Sequence, residues 1–252
     1  MTDTHLTSLD NPLIKRVRQM HDARTRREAG VCLVEGMRAI TACLDAGWLS
    51  EYIFITEDQP LPTNWPSTGI VRVAERVAEK ISQAHSASGY LAIFTVPTPP
   101  AINIHAGGLV LVGVSDPGNL GTLIRCAAAF ALHQVVLVGG ADPFTHKVVQ
   151  STAGTLASVQ LYRTVSEEDL VGLLTGATCC ALVVRDGQHP AQLIRKPRWL
   201  IVGSEAHGLS AGLLAACQER LTLPMPGQAE SLNAAMAGAI ACYALFAPGP
   251  NA

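Results

Sequence analysis

Two segments after residue 110 carry polar side chains that could orient a reacting group. Asn119 and Arg125 lie in a glycine-punctuated stretch after an apolar run, and Ser231 and Asn233 come directly before a long Ala-rich run. Hydroxyl and amide groups at the start of a helix, beside its free N–H donors, can bind a carboxylate, a phosphate or a reacting hydroxyl. Arg125 could equally be an ordinary surface arginine, and Ser231 and Asn233 could simply cap a core helix. Neither segment alone therefore identifies a reaction.

A third segment ends an apolar run in a loop that holds Glu205 between Gly203 and Gly208. Parallel α/β sheets bind ligands beyond the carboxyl ends of their strands, and glycine lets the backbone approach a ligand closely. Ser204 and His207 could suggest a hydrolase, but the sequence around them has no Gly-x-Ser-x-Gly elbow. A ligand-binding turn is therefore the better interpretation.

The elements that must position these residues alternate as in a doubly wound α/β sheet. Apolar runs without in-out alternation predict buried parallel strands at residues 109–114, 135–138, 180–184, 200–202 and 221–223. Helices are predicted between and after them, at residues 120–131, 147–157, 167–174, 210–217 and 231–246. Asn119 is placed to cap the first of these helices, and Arg125 projects away from its core-facing side.

A proline-rich stretch at residues 96–100 predicts a linker that divides the chain. Before it, short runs rich in β-branched and aromatic residues predict strands at 31–34, 52–55, 70–73 and 90–94, with helices between them. We therefore predict an N-terminal basic arm with a small α/β domain over residues 1–96, a Pro-rich linker over 97–106, and a larger α/β domain over 107–252.

Charge is unevenly distributed along the chain. The formal net charge is −2, but residues 11–38 hold seven basic and three acidic residues, a local charge of +4. Such a segment can bind phosphate groups, or it can be a salt-bridged helix face, and charge alone does not decide between them. The basic residues are Lys15, Arg16, Arg18, Arg24, Arg26, Arg27 and Arg38.

The remaining composition argues against several classes of protein. No basic segment followed by an apolar one opens the chain, and no apolar run approaches the roughly 18 residues of a membrane span. Seven scattered cysteines without a CxxC pair are typical of reduced thiols in a cytoplasmic protein, and they predict neither disulfides nor a metal site. A nucleotide-binding oxidoreductase is disfavoured because no Gly-x-Gly-x-x-Gly opens a helix after a strand.

In order and spacing, the three segments resemble the motifs of the SpoU, or TrmH-like, family of SPOUT RNA methyltransferases, and the similarity covers nearly the whole chain. Residues 119–125 match the first motif, residues 203–208 the Gly-x-Glu-x-x-Gly motif, and residues 231–233 the Ser-Leu-Asn motif. Residues 11–15 and 34–36 resemble members that act on ribosomal RNA. The resemblance implies a C-terminal α/β trefoil-knot domain and a smaller N-terminal α/β domain related in shape to ribosomal protein L30e.

The resemblance also implies 2′-O-ribose methylation of structured RNA, with 23S-type ribosomal RNA favoured, by a homodimer that uses S-adenosylmethionine. A tRNA target, or an inactive RNA-binding or ribosome-assembly protein of the same fold, stays open as an alternative. The implied catalytic residues are Asn119, Arg125, Glu205, Ser231 and Asn233. The implied methyl-donor residues, acting largely through backbone groups, are Val202, Gly203, Gly208, Leu223, Met225, Ser231 and Leu232. RNA would contact the basic arm and Lys147.

Two departures from the family pattern are visible, and one family role needs revision. Ala131 stands where the first-motif helix usually ends in glycine, and Gln150 stands where an arginine often precedes a serine. Family schemes make the first-motif arginine a base, but a guanidinium keeps its proton at neutral pH. We expect Arg125 to bind a phosphate and stabilise developing alkoxide charge, with phosphate or water taking the proton. The motif side chains must then meet in one pocket at the rim of the sheet.

Overall fold

The computed structural model divides the chain into two compact units. Unit 1 comprises Met1–Thr98 and Asp142–Ala157, and unit 2 comprises Pro99–Ala141 and Ser158–Ala252. The structure describes residues 5–164, 166–194, 197–228 and 230–247. The ends of the two predicted domains, residues 1–4 and 248–252, lie outside the described residues. No helix in the described ranges is long and apolar enough to cross a membrane.

The elements follow one another along the chain in a regular alternation. The first part contains β1 (His5–Leu6), α1 (Pro12–Gln19), α2 (Ala23–Ala29), β2 (Val31–Glu35), α3 (Met37–Asp45), β3 (Ser50–Thr56), β4 (Ile70–Val73), α4 (Glu75–Ile81) and β5 (Tyr90–Thr95). The second part contains β6 (Gly108–Val112), α5 (Pro117–Ala129), β7 (Gln134–Val138), α6 (His146–Ser151), β8 (Gln160–Thr164), α7 (Glu167–Leu173), β9 (Cys179–Leu182), β10 (Trp199–Val202), α8 (Ala211–Ala216), β11 (Glu219–Leu221) and α9 (Ala234–Phe246).

Unit 1 is a mixed five-stranded sheet with helices packed on it. The strand order is β1-β4-β3-β5-β2, with β5 antiparallel to both of its neighbours. Asn11 begins α1 by accepting a hydrogen bond from Leu13 N, and Pro12 fits the first helical position because it needs no partner for an N–H. The apolar face of α1 contributes Ile14 and Val17 to the core beneath the sheet. The basic residues between these two positions therefore face outward.

Unit 2 contains a six-stranded parallel sheet in the order β11-β9-β10-β6-β7-β8. Its central strands are buried throughout, as expected for a parallel sheet covered on both faces. From β6 the chain continues to β7 and β8 on one side of this strand. The later strands β9, β10 and β11 lie on its other side, so the strand order reverses between β6 and β10. Open α/β sheets bind ligands at such a reversal, beyond the carboxyl ends of the strands.

The predicted strands and helices are largely confirmed, with boundary shifts. The strand expected at 221–223 is β11 at Glu219–Leu221, and β8 was not predicted, because its exposed positions interrupt the apolar run. The helix expected at 147–157 is shorter: α6 ends at Ser151, and Leu156–Ser158 form a separate 3-10 turn. The final helix begins at Ala234 rather than at residue 231.

The prediction that Asn119 caps the first-motif helix is wrong. Asp116 is the N-cap of α5, and its carboxylate accepts a hydrogen bond of 2.8 Å from the backbone N–H of Asn119. Pro117 occupies the first helical position, where its fixed φ favours the helix. The helix therefore starts one turn earlier than expected, and the side chain of Asn119 is released for other contacts.

Residues 142–157 pack with unit 1, although the sequence analysis assigned them to the domain that follows the linker. Helix α6 packs against β2, and its Val148 and Val149 are buried. A Cβ at Gly154 would lie 3.7 Å from Ala39 Cα of α3, so the segment runs close to that helix. Tertiary contacts assign this segment to unit 1, and a proline-rich linker in the sequence does not reveal such contacts.

Candidate active site

A cavity of about 440 Å³ lies beyond the carboxyl ends of β9 and β10, against the start of α9. This is the edge of the sheet at which the strand order reverses. The lining is mostly apolar, with a few polar groups, which is typical of pockets for small ligands. The residues that line it are Leu182, Val183, Val184, Val202, Gly203, Ser204, Glu205, His207, Gly208, Leu209, Leu223, Met225, Ser231, Leu232, Asn233, Ala234 and Ala237.

The loop after β10 is a tight turn that closes on itself. Gly208 N donates to Ser204 O at 2.9 Å, and His207 N donates to Ser204 Oγ at 3.2 Å. Gly208 has a φ of 62°, a conformation that favours glycine. A Cβ at Gly203 would lie 2.5 Å from the carbonyl carbon of Gly208, closer than packed atoms allow. Both glycines are therefore required by the backbone, and Ser204 serves this turn rather than a hydrolase triad.

Asn119, Glu205 and Asn233 form a hydrogen-bonded chain across three elements. Asn119 Nδ2 donates to Glu205 Oε1, and Asn233 Nδ2 donates to Asn119 Oδ1 at 3.0 Å. Asn233 is also the N-cap of α9, because its Oδ1 accepts from Ala235 N at 2.9 Å and Met236 N at 3.2 Å. Both ends of the Asn233 amide are thus occupied, which fixes its orientation and, through it, that of Asn119.

All seven residues predicted to bind the methyl donor line the cavity. Val202 and Gly203 contribute from the end of β10, Leu223 and Met225 from the segment after β11, and Leu232 from the entry to α9. Ser231, which is exposed, lines the same cavity as Asn233. The predicted residues therefore form one continuous surface, although they come from three separate stretches of sequence.

Arg125 does not line the cavity. It is exposed on α5, six residues after Asn119, which corresponds to a rotation of about 120° between the two side chains around the helix axis. The expectation that all of the motif side chains meet in one pocket is therefore not met within a single chain. Glu205, Ser231 and Asn233 line the cavity and Asn119 is hydrogen-bonded to two of them, while Arg125 stays apart.

Sequence reasoning missed the wall of the cavity that follows β9. Leu182, Val183 and Val184 line it, and Val184 is 54% exposed. Their apolar character gave only a strand prediction. The signal that would have found them is topological: β9 neighbours β10 in the sheet, so the residues after both strands meet at the same edge.

The basic residues predicted to contact RNA separate into three groups. Lys15, Arg16 and Arg24 form ion pairs with Asp10, Glu51 and Glu28 at 2.9, 2.6 and 2.7 Å. Arg26 is only 3% exposed, so its predicted contact with RNA is wrong: its guanidinium donates to backbone carbonyls and to Asp142 inside the unit. Arg18, Arg27, Arg38 and, on α6, Lys147 are exposed.

Five of the cysteines are buried, and Cys126 and Cys217 are partly buried. All seven are free, and burial raises the pKa of Cys43 and Cys242 to about 12 and that of Cys217 to about 11. Among the described residues, no group of three or more His, Cys, Asp or Glu side chains could hold a metal ion. The polar side chains that line the cavity are two hydroxyls, one amide, one carboxylate and one imidazole, from Ser204, Ser231, Asn233, Glu205 and His207. These features define a class: a parallel α/β protein with a small-molecule pocket at its topological switch point.

Comparison with known proteins specifies the class further. Residues 108–243 match the family model described as SpoU rRNA Methylase family, and residues 11–92 match the MRM3-like substrate binding domain. A Synechocystis protein called an uncharacterized tRNA/rRNA methyltransferase is 31% identical over 94% of this chain and 92% of its own length. The Bacillus subtilis 23S rRNA (guanosine(2553)-2′-O)-methyltransferase RlmP is 28% identical, with 95% and 98% covered.

A solved structure agrees over both units. The AdoMet-bound rRNA methyltransferase from Sinorhizobium meliloti is 27% identical, covers 96% of this chain and 97% of its own, and superposes with a TM-score of 0.86. The chain belongs to the SpoU methyltransferase family. The predicted fold class, a C-terminal SPOUT α/β domain preceded by a smaller α/β domain, is confirmed.

Proposed function

We propose that this protein transfers a methyl group from S-adenosylmethionine to a ribose 2′-hydroxyl of ribosomal RNA, of the 23S type. The observation that carries the proposal is the cavity at the switch point, whose wall joins the Gly-x-Glu-x-x-Gly turn to the Ser-Leu-Asn segment. The names of the Bacillus subtilis and Sinorhizobium meliloti relatives support the substrate class. A tRNA substrate is the alternative, because the name of the Synechocystis relative includes both tRNA and rRNA.

The residues of the cavity fit the proposed methyl donor. Leu209, Leu223, Met225 and Leu232 offer apolar contacts to a purine ring, and the tight turn of Gly203 leaves backbone close to the ligand. The volume of about 440 Å³ is in the range for cofactor-sized ligands. When bound, S-adenosylmethionine supplies an electrophilic methyl group on a sulfonium centre. The chain's own contribution is to orient the acceptor and to exclude competing arrangements.

The amide chain beside the cavity suits a role in orienting the ribose. Asn119 has its oxygen on Asn233 and its nitrogen on Glu205, so its amide plane is held from both ends. Pre-oriented polar groups cost no reorganisation when charge develops on the acceptor oxygen. We assign Ser231 and Asn233 to positioning of the hydroxyl, and Glu205 to holding Asn119. A phosphate or water takes the hydroxyl proton, since a guanidinium is a poor base.

A homodimer is part of the proposal. Met236, Ile240 and Tyr243 are 57, 45 and 68% exposed on α9, and their spacing of four and three residues places them on one face of the helix. An apolar stripe of this kind on a soluble unit favours a partner, and a second copy is the commonest one. The partner would also explain Arg125: its exposed guanidinium can serve the cavity of the other chain.

Mixing two inactive variants tests this shared site. Arg125→Ala and Asn233→Ala should each be inactive alone. If Arg125 acts on the partner's cavity, random re-pairing gives half heterodimers with one complete site of two, so about one quarter of wild-type activity should return. A mixture that stays at the level of the separate variants would show that Arg125 serves its own chain or that the protein is not a dimer.

Unit 1 is proposed to bind the RNA. Its exposed Arg18, Arg27 and Arg38 can contact phosphates, whereas the ion-paired Arg16 and Arg24 must first leave their carboxylates. The match to the MRM3-like substrate binding domain over residues 11–92 supports this division of labour. We also propose a cytoplasmic location, supported by seven unpaired cysteines in a chain whose proposed substrate is ribosomal RNA.

The direct test is methyl transfer in vitro. The purified protein is incubated with S-adenosylmethionine labelled on the methyl group and with 23S ribosomal RNA or tRNA, and the RNA is then hydrolysed with alkali. A 2′-O-methyl group protects the adjacent phosphodiester, so label should be recovered in alkali-resistant dinucleotides from 23S RNA. Label in mononucleotides would indicate base methylation, and label only in tRNA would favour the alternative substrate. No transfer together with no donor binding by calorimetry would indicate an inactive relative.

A further inference from the structure

Residues 142–157 form a segment of unit 1 that is flanked on both sides by chain belonging to unit 2. Its helix α6 has only six residues, too few to be stable without tertiary contacts. Val148 and Val149 are buried, while Lys147 and Gln150 are exposed. The direction in which Lys147 is presented therefore depends on what fixes α6 in place.

One fixing contact is a buried ion pair. Arg26 donates through Nη1 to the carbonyls of Met20 and His21, both at 2.8 Å, and through Nη2 to Asp142 Oδ2 at 3.3 Å. The other oxygen of Asp142 accepts from Phe144 N at 3.1 Å, so this carboxylate also shapes the turn that leads into α6. The Arg26 side chain is 3% exposed and that of Asp142 is 13% exposed. The pair is therefore well shielded from solvent.

A second contact holds the first residue of α6. His146 Nδ1 lies 3.8 Å from Glu35 Oε1, and both side chains are largely buried. Glu35 is itself held in place, because it accepts from Ser82 Oγ and from Gln83 N, each at 2.7 Å. Glu35 belongs to the segment at residues 34–36 that resembles family members acting on ribosomal RNA. It does not line the proposed active site.

Buried charges need a reason, because well-packed apolar residues usually stabilise a fold as well or better. Apolar side chains pack in many orientations, whereas an ion pair with defined hydrogen bonds selects one. Here the arrangement selected is that of α6 on β2. None of the four side chains lines the methyl-donor cavity.

We propose that Arg26, Asp142, Glu35 and His146, which we call the latch, are positioning residues that hold α6 so that Lys147 contacts the RNA backbone. The proposal rests on the proposed function, since it specifies how the same RNA is bound. It assigns the latch to RNA affinity and not to methyl-donor affinity. Arg26, which its sequence position suggested as a direct RNA contact, thus acts through Lys147.

Asp142→Asn tests the latch because a simple charge effect and a positioning role predict opposite changes in RNA affinity. Removing a negative charge should by itself tighten binding to a polyanion. If the latch positions Lys147, the variant should instead bind a 23S RNA transcript about five- to tenfold more weakly at 0.1 M salt, the contribution of roughly one phosphate contact. KM for RNA should rise while kcat and the Kd for S-adenosylmethionine stay unchanged. Asp45→Asn, an exposed acid on α3, is the control for charge and should bind RNA at least as tightly as wild type.

A double variant shows whether the effect passes through Lys147. In a Lys147→Ala background, Asp142→Asn should cause no additional loss of RNA affinity, and the slope of log K against log salt should be lower by about 1 in each variant. Full additivity, or RNA binding by Asp142→Asn equal to or tighter than wild type, would overturn the latch. An equal loss of donor affinity would do the same.

A second variant guards against loss of folding. His146→Gln interrupts the Glu35 contact and should give the same RNA defect, with faster hydrogen exchange confined to α6 and its flanking turns. If Asp142→Asn does not fold and His146→Gln binds RNA normally, the latch is rejected. Failure of the proposed function is distinguishable, because in that case the wild-type protein itself neither methylates nor binds the transcript.

Discussion

The two units use polar residues in opposite ways. In unit 2, the amide chain of Asn119, Glu205 and Asn233 stands beside a mostly apolar cavity, at the ends of buried strands. In unit 1, charged residues are spread over the surface, and the four latch residues are largely buried. The first arrangement suits orientation of one small group, and the second suits attachment of a large polyanion. A variant of one unit that impaired both methyl-donor binding and RNA binding would contradict this comparison.

The largest effect is expected at the turn after β10. Gly203→Ala would place a Cβ 2.5 Å from the Gly208 carbonyl carbon, so the loop must shift and the cavity wall with it. We expect methyl-donor affinity to fall about ten- to hundredfold, because misplacement by about 1 Å costs that much at a positioned site. Calorimetry measures the change. Gly212→Ala is the control, since its Cβ would meet only Ser210 Oγ at 3.9 Å. RNA binding should be normal in both variants, and a joint loss would contradict the separation of roles.

The next largest effect is expected at Asn233, which caps α9 through its oxygen and orients Asn119 through its nitrogen. Asn233→Ala should lower the free energy of unfolding by about 1 kcal/mol, as for loss of an N-cap, and should also abolish the hold on Asn119. Asn233→Asp keeps the capping oxygen but not the Nδ2 donor. It should therefore retain stability in urea unfolding while losing at least about tenfold in kcat. Equal kcat for Asn233→Asp and wild type would show that the amide chain has no part in catalysis.

The end of α5 offers a smaller effect on stability alone. Ala131 has a φ of 56°, in the region where a Cβ is unfavourable, at the position where the family pattern has glycine. Ala131→Gly should raise the free energy of unfolding by up to about 1 kcal/mol, and Ala129→Gly, at the last residue of the helix, should lower it by up to about 0.5 kcal/mol. Thermal unfolding of the pair measures both. Activity should be unchanged, since Ala131 does not line the cavity.

The smallest effect is a pH dependence confined to unit 1. Burial lowers the pKa of His146 from its ordinary value of 6.5; nearby Glu35 opposes this, and His21 and Arg26 add to it. The unfolded chain therefore takes up this proton first as the pH falls, so stability is present above about pH 6.5 and declines below it. His146→Gln should show a flatter fall in urea midpoint between pH 7.5 and 5.5. An unchanged pH profile would show that His146 does not contribute.

The site of unit 2 was more predictable from sequence than the surface of unit 1, for a physical reason. Residues that follow strands of a parallel sheet meet at one edge whatever the loops do, so the motifs at 203–208 and 231–233 could be brought together from the strand pattern and the family resemblance. The burial of Arg26 depends on Asp142, which is more than a hundred residues away, and no local pattern contains that contact. The separation of Arg125 from the cavity likewise follows from helix phase relative to neighbouring elements.

The capping error at α5 shows the same limit on a smaller scale. Asp116, Pro117 and Asn119 are all good residues for a helix start, and the choice among them depends on the partner available to Asn119. Its side chain has two partners, Glu205 on the loop after β10 and Asn233 at the start of α9. Local propensity thus placed the helix within one turn, and the tertiary contact selected the residue.

The central claim, that the cavity of unit 2 methylates a ribose in ribosomal RNA, is tested most directly by mapping 2′-O-methyl groups in RNA from cells with and without this protein. We predict that a single alkali-resistant position in 23S RNA disappears when the protein is absent, returns with the wild-type chain, and does not return with Asn233→Ala. An unchanged 23S map, with every 2′-O-methyl group retained, would contradict the account.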